Sequence, residues 1–181
     1  MIIVTGSSGF IGSNLIRELN KKGYKDIIAV DDQSRTDLKE NIVHCDIKEF
    51  IDIDDFLVMV QKEEIDKVDI SAIFHQGACS DTMEWDSEYL FKNNLLYSKE
   101  LLNLAIRSKV PLIYASSASV YGSGEIFVES LENENPINLY AYSKFKFDQI
   151  VRRELKRGNT QIVGLRYFNV YGPQEQHKGK M

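Results

Sequence analysis

Two spacings in this sequence can do chemistry. Tyr140 and Lys144 stand four apart in a stretch of helical periodicity, which puts both side chains on one helix face. A phenol titrates at about pH 10 and is a poor base near neutrality; an adjacent ammonium stabilises the phenolate and lowers that value. A tyrosine so placed can take the proton of a hydroxyl while hydride leaves the same carbon. Upstream, the run Ser116-Ser117-Ala118-Ser119 closes an apolar segment, and a serine there can hydrogen-bond the reacting oxygen. The second spacing is Gly6, Gly9 and Gly12, which follow the apolar residues 1–4 and lead into the helical pattern Ile11, Leu15, Ile16, Leu19. A strand, a tight turn and a helix start in that order suit a pyrophosphate. The first glycine allows the turn, the second lets phosphates approach the backbone, and the third lets helix and strand pack closely. The helix N–H groups and dipole then hold the anion. Asp31 ends the next apolar run, residues 27–30, where a carboxylate can bond ribose hydroxyls. Tyr-x-x-x-Lys alone is a common helix-surface pattern. It gains meaning here from the glycine loop in the same chain.

These groups need a scaffold that brings residues 6, 31, 117 and 140 to one edge. Apolar runs predict strands over 1–4, 27–30, 42–45, 70–74, 110–115 and 162–167. Helical periodicity predicts helices over 13–22, closed by Gly23, and over 52–63, 84–108 and 139–156. Polar residues 31–41 and 122–138 read as loops. Strands alternating with helices predict an α/β protein: a Rossmann-type, doubly wound parallel sheet with helices on both faces. Ligands bind at the carboxyl ends of such strands, so the turn His75-Gln76-Gly77-Ala78-Cys79 should border a dinucleotide. Asn93 is polar within the apolar stripe of the long helix. It reads either as a satisfied core amide or as a group facing the dinucleotide.

Composition narrows the classes. The 181 residues are 43% hydrophobic and 27% charged, enough for one sizeable core. A net charge of -5 and the lack of a long basic run give nucleic-acid binding no support. No apolar run is long enough for a membrane span, and a chain that opens on a core strand predicts no leader peptide. Cys45 and Cys79 fit no zinc spacing, so no metal site is expected. They read as reduced packing residues of a cytoplasmic protein.

The glycine spacing, the run Ser116–Gly122, Tyr140-Ala141-Tyr142-Ser143-Lys144 and Arg166-Tyr167-Phe168-Asn169-Val170-Tyr171-Gly172-Pro173 together resemble the extended short-chain dehydrogenases/reductases. More specific stretches narrow the resemblance to members acting on an ADP-linked heptose: residues 75–80, Glu84-Trp85-Asp86, Asn93-Asn94, residues 97–102 and the ending 174–181. The resemblance covers essentially the whole chain. It implies inversion of carbon 6 of ADP-glycero-manno-heptose, for lipopolysaccharide inner-core synthesis, by transient oxidation with tightly held NADP. Tyr140 would serve one face of the sugar and Lys178 the other, with Lys144 bonding the nicotinamide ribose and tuning Tyr140. Ser117 would be the catalytic serine. The resemblance further assigns Gly6, Gly9, Phe10, Ile11, Gly12, Asp31, Gln76, Gly77, Ala78, Cys79, Ser80, Asn93, Val170 and Lys178 to the cofactor, and Asp32, Arg35 and Lys39 are expected beside them. Ser80, Ser117 and Asn169 would contact substrate, and the full-length form would be a homo-oligomer.

The chain departs from that pattern in two ways. Such proteins continue for well over a hundred residues, so residues 1–173 read as the dinucleotide domain and 174–181 as the start of a substrate region that is largely missing. The exit of the second strand reads Asp31-Asp32, where those relatives have Asp then Asn, and Leu38 and Ile53 stand where lysines are expected. Arg35 and Lys39 can supply the cations that a 2′-phosphate needs; otherwise they are exposed loop charges and NAD is the alternative. Two other readings remain: another nucleotide-sugar epimerase or dehydratase, and a cofactor-binding fragment without turnover.

Overall fold

The computed structural model describes residues 1–175. Its strands are β1 (Ile2–Thr5), β2 (Ile27–Asp31), β3 (Glu49–Asp52), β4 (Ala72–His75), β5 (Leu112–Ser117) and β6 (Ile162–Tyr167). They form one six-stranded sheet in the order β3-β2-β1-β4-β5-β6. Every neighbouring pair is parallel. Helices α1 (Phe10–Lys21), α2 (Ile53–Gln61), α3 (Ser87–Leu90), α4 (Tyr97–Ser108) and α5 (Leu139–Leu155) connect them. The order reverses between β1 and β4, so the crevice that binds ligands in such sheets opens at the carboxyl ends of those two strands.

Strand alternation sorts the core into two layers. Ile2, Val4, Ile27 and Ala29 face α1 and pack with Ile16 and Leu19. Ile3, Ile28, Val30, Ile73 and Leu112 face the other way and meet α2, α4 and α5 through Phe56, Val60, Leu101, Leu104, Phe147 and Val151. Each fully buried aliphatic side chain there contributes about 2 kcal/mol. On β6 the alternate positions Val163 and Leu165 are exposed.

Three expectations change. The third strand is not 42–45 but Glu49–Asp52, paired with β2 from Ile28–Glu49 to Asp31–Asp52. Residues 42–45 instead form a turn, in which Cys45 N–H donates to the Ile42 carbonyl and Ile42 is buried. The apolar run was a short plug under α1, and the true strand lies at the sheet edge. The first helix starts at Phe10, directly on the glycine loop. The long helix over 84–108 starts at Ser87, capped by Asp86, and passes through a π-helical turn at Phe91–Leu96. That turn rotates the face that α4 presents.

Candidate active site

The glycine loop turns at Gly6, whose φ is +65°; a Cβ there would strike the backbone of Gly77. The loop of β1 and the turn after β4 are therefore packed backbone to backbone. Gly12 is needed for a different contact from the one expected. Its Cβ would lie 2.0 Å from the Gly6 carbonyl oxygen, so helix packs on loop rather than on strand. At Gly9 an added Cβ would meet only the Gly6 oxygen, at 3.3 Å, and open space beyond. Gly9 also precedes α1 without any side-chain cap. The hydroxyls of Ser7 and Ser8 are buried and have no hydrogen-bond partner. An open glycine, an uncapped helix start and orphaned hydroxyls together fit a pyrophosphate. Phe10 is buried and Ile11 half-buried along the first turn of α1.

Asp31 closes the loop against β2. Its carboxylate accepts the N–H of Ser8 at 2.7 Å and of Asp32 at 2.9 Å, although burial still raises its pKa. Asp32 binds the Ser34 hydroxyl and N–H. Arg35 is exposed and its guanidinium grips Asp37 with two hydrogen bonds, at 3.0 and 2.9 Å. Lys39 is exposed nearby, and Leu38 is buried.

The turn after β4 is held from beneath by a buried relay. Thr5 Oγ lies 2.6 Å from His75 Nδ1, and His75 Nε2 lies 2.8 Å from Ser98 Oγ. Ser98 donates onward to the Asn94 carbonyl. Thr5 also accepts the Gly77 N–H. This order fixes His75 as the neutral Nε2–H tautomer, and burial, helped by Lys144, lowers its pKa to about 3. The Asn94 side chain accepts the Cys79 N–H, donates to the Cys79 carbonyl and donates to Ser143 Oγ. Ser143 in turn donates to the Tyr140 carbonyl. Asn94 is thus the polar group buried in the stripe. Asn93, the expected one, is half-exposed and donates to the Tyr89 carbonyl of its own helix. The π turn between them is what sequence periodicity could not anticipate.

Ser117, Tyr140 and Lys144 are brought together and buried at the carboxyl end of β5. Asn138 caps α5 by accepting the Ala141 N–H, which sets Tyr140 in the first turn. Burial raises the Tyr140 pKa, and hydrogen bonding by Ser117 pulls the other way. The expected lowering of Tyr140 by Lys144 is not what this geometry delivers. Lys144 Nζ donates instead to the Ala115 carbonyl at 2.9 Å. Burial drops the Lys144 pKa to about 8, against the pull of Asp148 and Cys79. Ser116 and Ser117 take different partners. Ser116 donates to Asp148, and Ser117 accepts the Ser119 N–H on the Tyr140 side.

Across the cleft, Tyr167 Oη donates to Gln76 Oε1 at 3.1 Å, joining the exits of β6 and β4. Gly77, Ala78 and Cys79 are half-buried beside it, with Ser80 exposed. Asn169 is exposed and Val170 half-buried after β6. The chain then returns over α1: Asn14 donates to the Pro173 carbonyl, Ser13 to Gln174 Oε1, and Gln174 to the Asn41 carbonyl. Asn41 also donates to the Ser8 carbonyl. None of these ties was predicted, because each joins residues far apart in sequence. Lys178 lies outside the described residues. Among the described residues no group of His, Cys, Asp and Glu is placed to hold a metal ion, and no helix is long and apolar enough to cross a membrane.

Comparison with known proteins agrees with this geometry. Residues 2–181 match the sequence profile of the NAD dependent epimerase/dehydratase family. An ADP-L-glycero-D-manno-heptose-6-epimerase of Alkalilimnicola ehrlichii is 50% identical over all 181 residues, which span 56% of that protein. The crystal structure of the Helicobacter pylori ADP-L-glycero-D-manno-heptose-6-epimerase superposes with a TM-score of 0.83 at 36% identity, over 99% of this chain and 58% of that one. A Bacillus cereus UDP-glucuronic acid 4-epimerase, solved in complex with NAD, superposes with a TM-score of 0.76 at 26% identity, over 96% of this chain and 58% of that one. The chain thus spans little more than half the length of these relatives.

Proposed function

From the premise that this chain belongs to the NAD dependent epimerase/dehydratase family, we propose that it is the dinucleotide-binding part of a nucleotide-sugar epimerase. Its substrate is ADP-glycero-manno-heptose, inverted at carbon 6, in lipopolysaccharide inner-core synthesis. The relatives at 50% and 36% identity, both named as ADP-heptose epimerases, support that substrate over the UDP-sugars of the more distant neighbour. The observation that carries the reading is the burial of Ser117, Tyr140 and Lys144 together, on the sheet whose first turn is an open glycine loop.

NADP is the proposed cofactor, with Arg35 and Lys39 meeting its 2′-phosphate once Arg35 leaves Asp37; NAD is the alternative. The glycine loop, Ser7 and Ser8 would hold the pyrophosphate, Asp31 and Asp32 the adenosine ribose, and residues 76–80 and Val170 the nicotinamide half. Bound there, the nicotinamide supplies a hydride acceptor and donor. Tyr140 Oη would exchange the proton of the sugar hydroxyl on one face of the sugar, in one of the two half-reactions. Ser117 Oγ holds the reacting oxygen. Lys144, one helical turn from Tyr140, would hold the nicotinamide ribose when the cofactor is bound and supply a charge beside the phenolate. Inversion needs a second proton group on the opposite sugar face, the role assigned to Lys178, with Ser80 and Asn169 contacting the sugar. The full-length protein is a cytoplasmic homo-oligomer in this reading; the free thiols of Cys45 and Cys79 and the exposed Leu96 and Tyr142 support it.

Titration of the 181-residue chain with NADP and with NAD, followed by melting temperature, tests the site. A rise with either ligand supports the dinucleotide reading, and a larger rise with NADP supports the cation assignment. A cooperative melt that neither ligand moves would overturn it.

A further inference from the structure

Outside the cleft, the described residues bury one further cluster of charge. The Glu134 side chain is wholly buried, in the loop between Ser117 and Tyr140. Two guanidiniums share it. Arg152, from α5, donates to both of its oxygens, and Arg166, from β6, donates to one. Gln149 of α5 adds a bond at 3.3 Å. Burial alone would push the Glu134 carboxyl up, but the two arginines hold it below the usual carboxylate range. Arg166 also lies 3.5 Å from Asp148, which accepts from Tyr114 and Ser116, and its guanidinium sits 4.7 Å over the Tyr121 ring.

The two partners lead to the two halves of the site. Arg166 stacks on Tyr121, the last residue of the 3-10 turn that leaves Ser117. Arg152 belongs to the helix whose first turn carries Tyr140. The backbone beside Glu134 ties the same two pieces. Asn135 N–H donates to the Val120 carbonyl at 2.9 Å, and a Cβ at Gly122 would lie 1.9 Å from the Asn135 oxygen. Asn138, four residues past Glu134, is the cap of α5. A carboxylate buried between two cations is far more costly to disturb than an exposed pair.

We propose that Glu134 is a positioning residue for the Ser117–Tyr140 pair: its shared ion pair with Arg152 and Arg166 sets the separation between the turn after β5 and the first turn of α5. The proposal rests on the reading of Ser117 and Tyr140 as the reacting pair. A substitution at Glu134 therefore acts on the environment of Tyr140 while leaving the glycine loop, on the opposite side of the sheet order, in place.

The test reads Tyr140 directly and needs no cofactor. Tyrosine labelled with carbon-13 at the ζ position is followed by NMR as the chain is titrated, with Tyr140→Phe identifying the signal. The groups acting on Tyr140 are Ser117 from β5 and Cys79 from the turn after β4, while Lys144, one turn along α5, donates to the Ala115 carbonyl. In Glu134→Gln the Ser117 hydroxyl is expected to draw away from Tyr140, so the Tyr140 midpoint should move further above the ordinary phenol value. Glu134→Asp, which keeps the charge, is expected to retain most of the native midpoint. Where Glu134→Gln does not melt cooperatively, Arg152→Met replaces it, since Arg166 still pairs the carboxylate. A native midpoint in a cooperatively folded Glu134→Gln or Arg152→Met chain overturns the proposal. That outcome is separate from the cofactor titration, which judges the function reading alone.

Discussion

Asn94 holds the peptide of Cys79 from both sides, accepting its N–H at 2.8 Å and donating to its carbonyl at 3.0 Å. The same amide reaches Ser143, so a single wholly buried side chain joins the turn after β4 to the helix of Tyr140 and Lys144. Asn94→Ala strands three polar groups at once. It is expected to cost about 3 kcal/mol, each unsatisfied group counting for about 1 kcal/mol or more. Urea denaturation measures this, and a loss below about 1 kcal/mol would show that water replaces the amide freely.

Gly9 and Gly12 should fail in different ways. The φ of -70° at Gly9 suits any residue, and its Cβ would meet only the Gly6 oxygen, at 3.3 Å. Gly9→Val is therefore expected to leave the melt near native and weaken dinucleotide binding by more than about tenfold, through collision with the phosphates. Gly12→Ala forces a Cβ onto the Gly6 carbonyl and should lower the melting temperature itself. Calorimetric titration beside thermal melts separates the two. Native affinity in Gly9→Val would remove the loop from the binding site.

Tyr140→Phe removes one hydroxyl from a buried ring. In a protein that carries the remaining length of the relatives, it is expected to cut epimerisation by a hundredfold or more, about 3 kcal/mol of barrier. Cofactor affinity should stay within about twofold of native. Turnover at the native rate would exclude Tyr140 as the proton carrier.

Arg35 decides cofactor choice if it meets the 2′-phosphate. Arg35→Ala should then weaken NADP by about tenfold and leave NAD unchanged. Its pair with Asp37 is exposed and contributes little to folding, so the melt should not move. Equal losses for both dinucleotides would place the guanidinium in solvent.

Lys144 makes stability depend on pH. Its value is depressed from 10.5 to about 8, so between those limits the unfolded chain binds the extra proton. Stability is therefore expected to rise as pH climbs from about 8 toward 10. The full penalty below that window is about 3 kcal/mol. Above about pH 10 the ionisation of tyrosines works in the opposite direction. Urea midpoints at pH 7 and pH 9.5 should differ in the native chain and converge in Lys144→Met. A native midpoint that falls over this interval would mean that Lys144 stays charged when buried.

Local chemistry was legible from residue order. The glycine spacing and Tyr140–Lys144 each lie within a single turn or loop, where sequence distance equals spatial distance. Ser117 was separable from Ser116 only through resemblance, and the partners supply the physical reason: Asp148 takes up Ser116, while Ser117 bonds Tyr140. The edge strand β3 escaped because its four residues hold just two apolar ones, Phe50 and Ile51, between Glu49 and Asp52, while buried Ile42 mimicked a strand. Asn94 was hidden by the π turn: buried Leu90, Asn94 and Ser98 recur at a steady spacing of four, one that an unbroken α-helix would drift away from. The links of Glu134 to Arg152 and Arg166, and of Ser13 to Gln174, depend on tertiary closure that no window of sequence contains.

The bond between Ser13 and Gln174 joins residues 161 apart. Closing so large a loop brings its reward only after β6 has docked, and parallel pairing across such distances is slow. Refolding should therefore show two stages: early protection of the β1–β4 core, then a later step that seats the segment after β6 on α1. On the ribosome, α1 therefore keeps one side uncovered until the segment after β6 has emerged and docked.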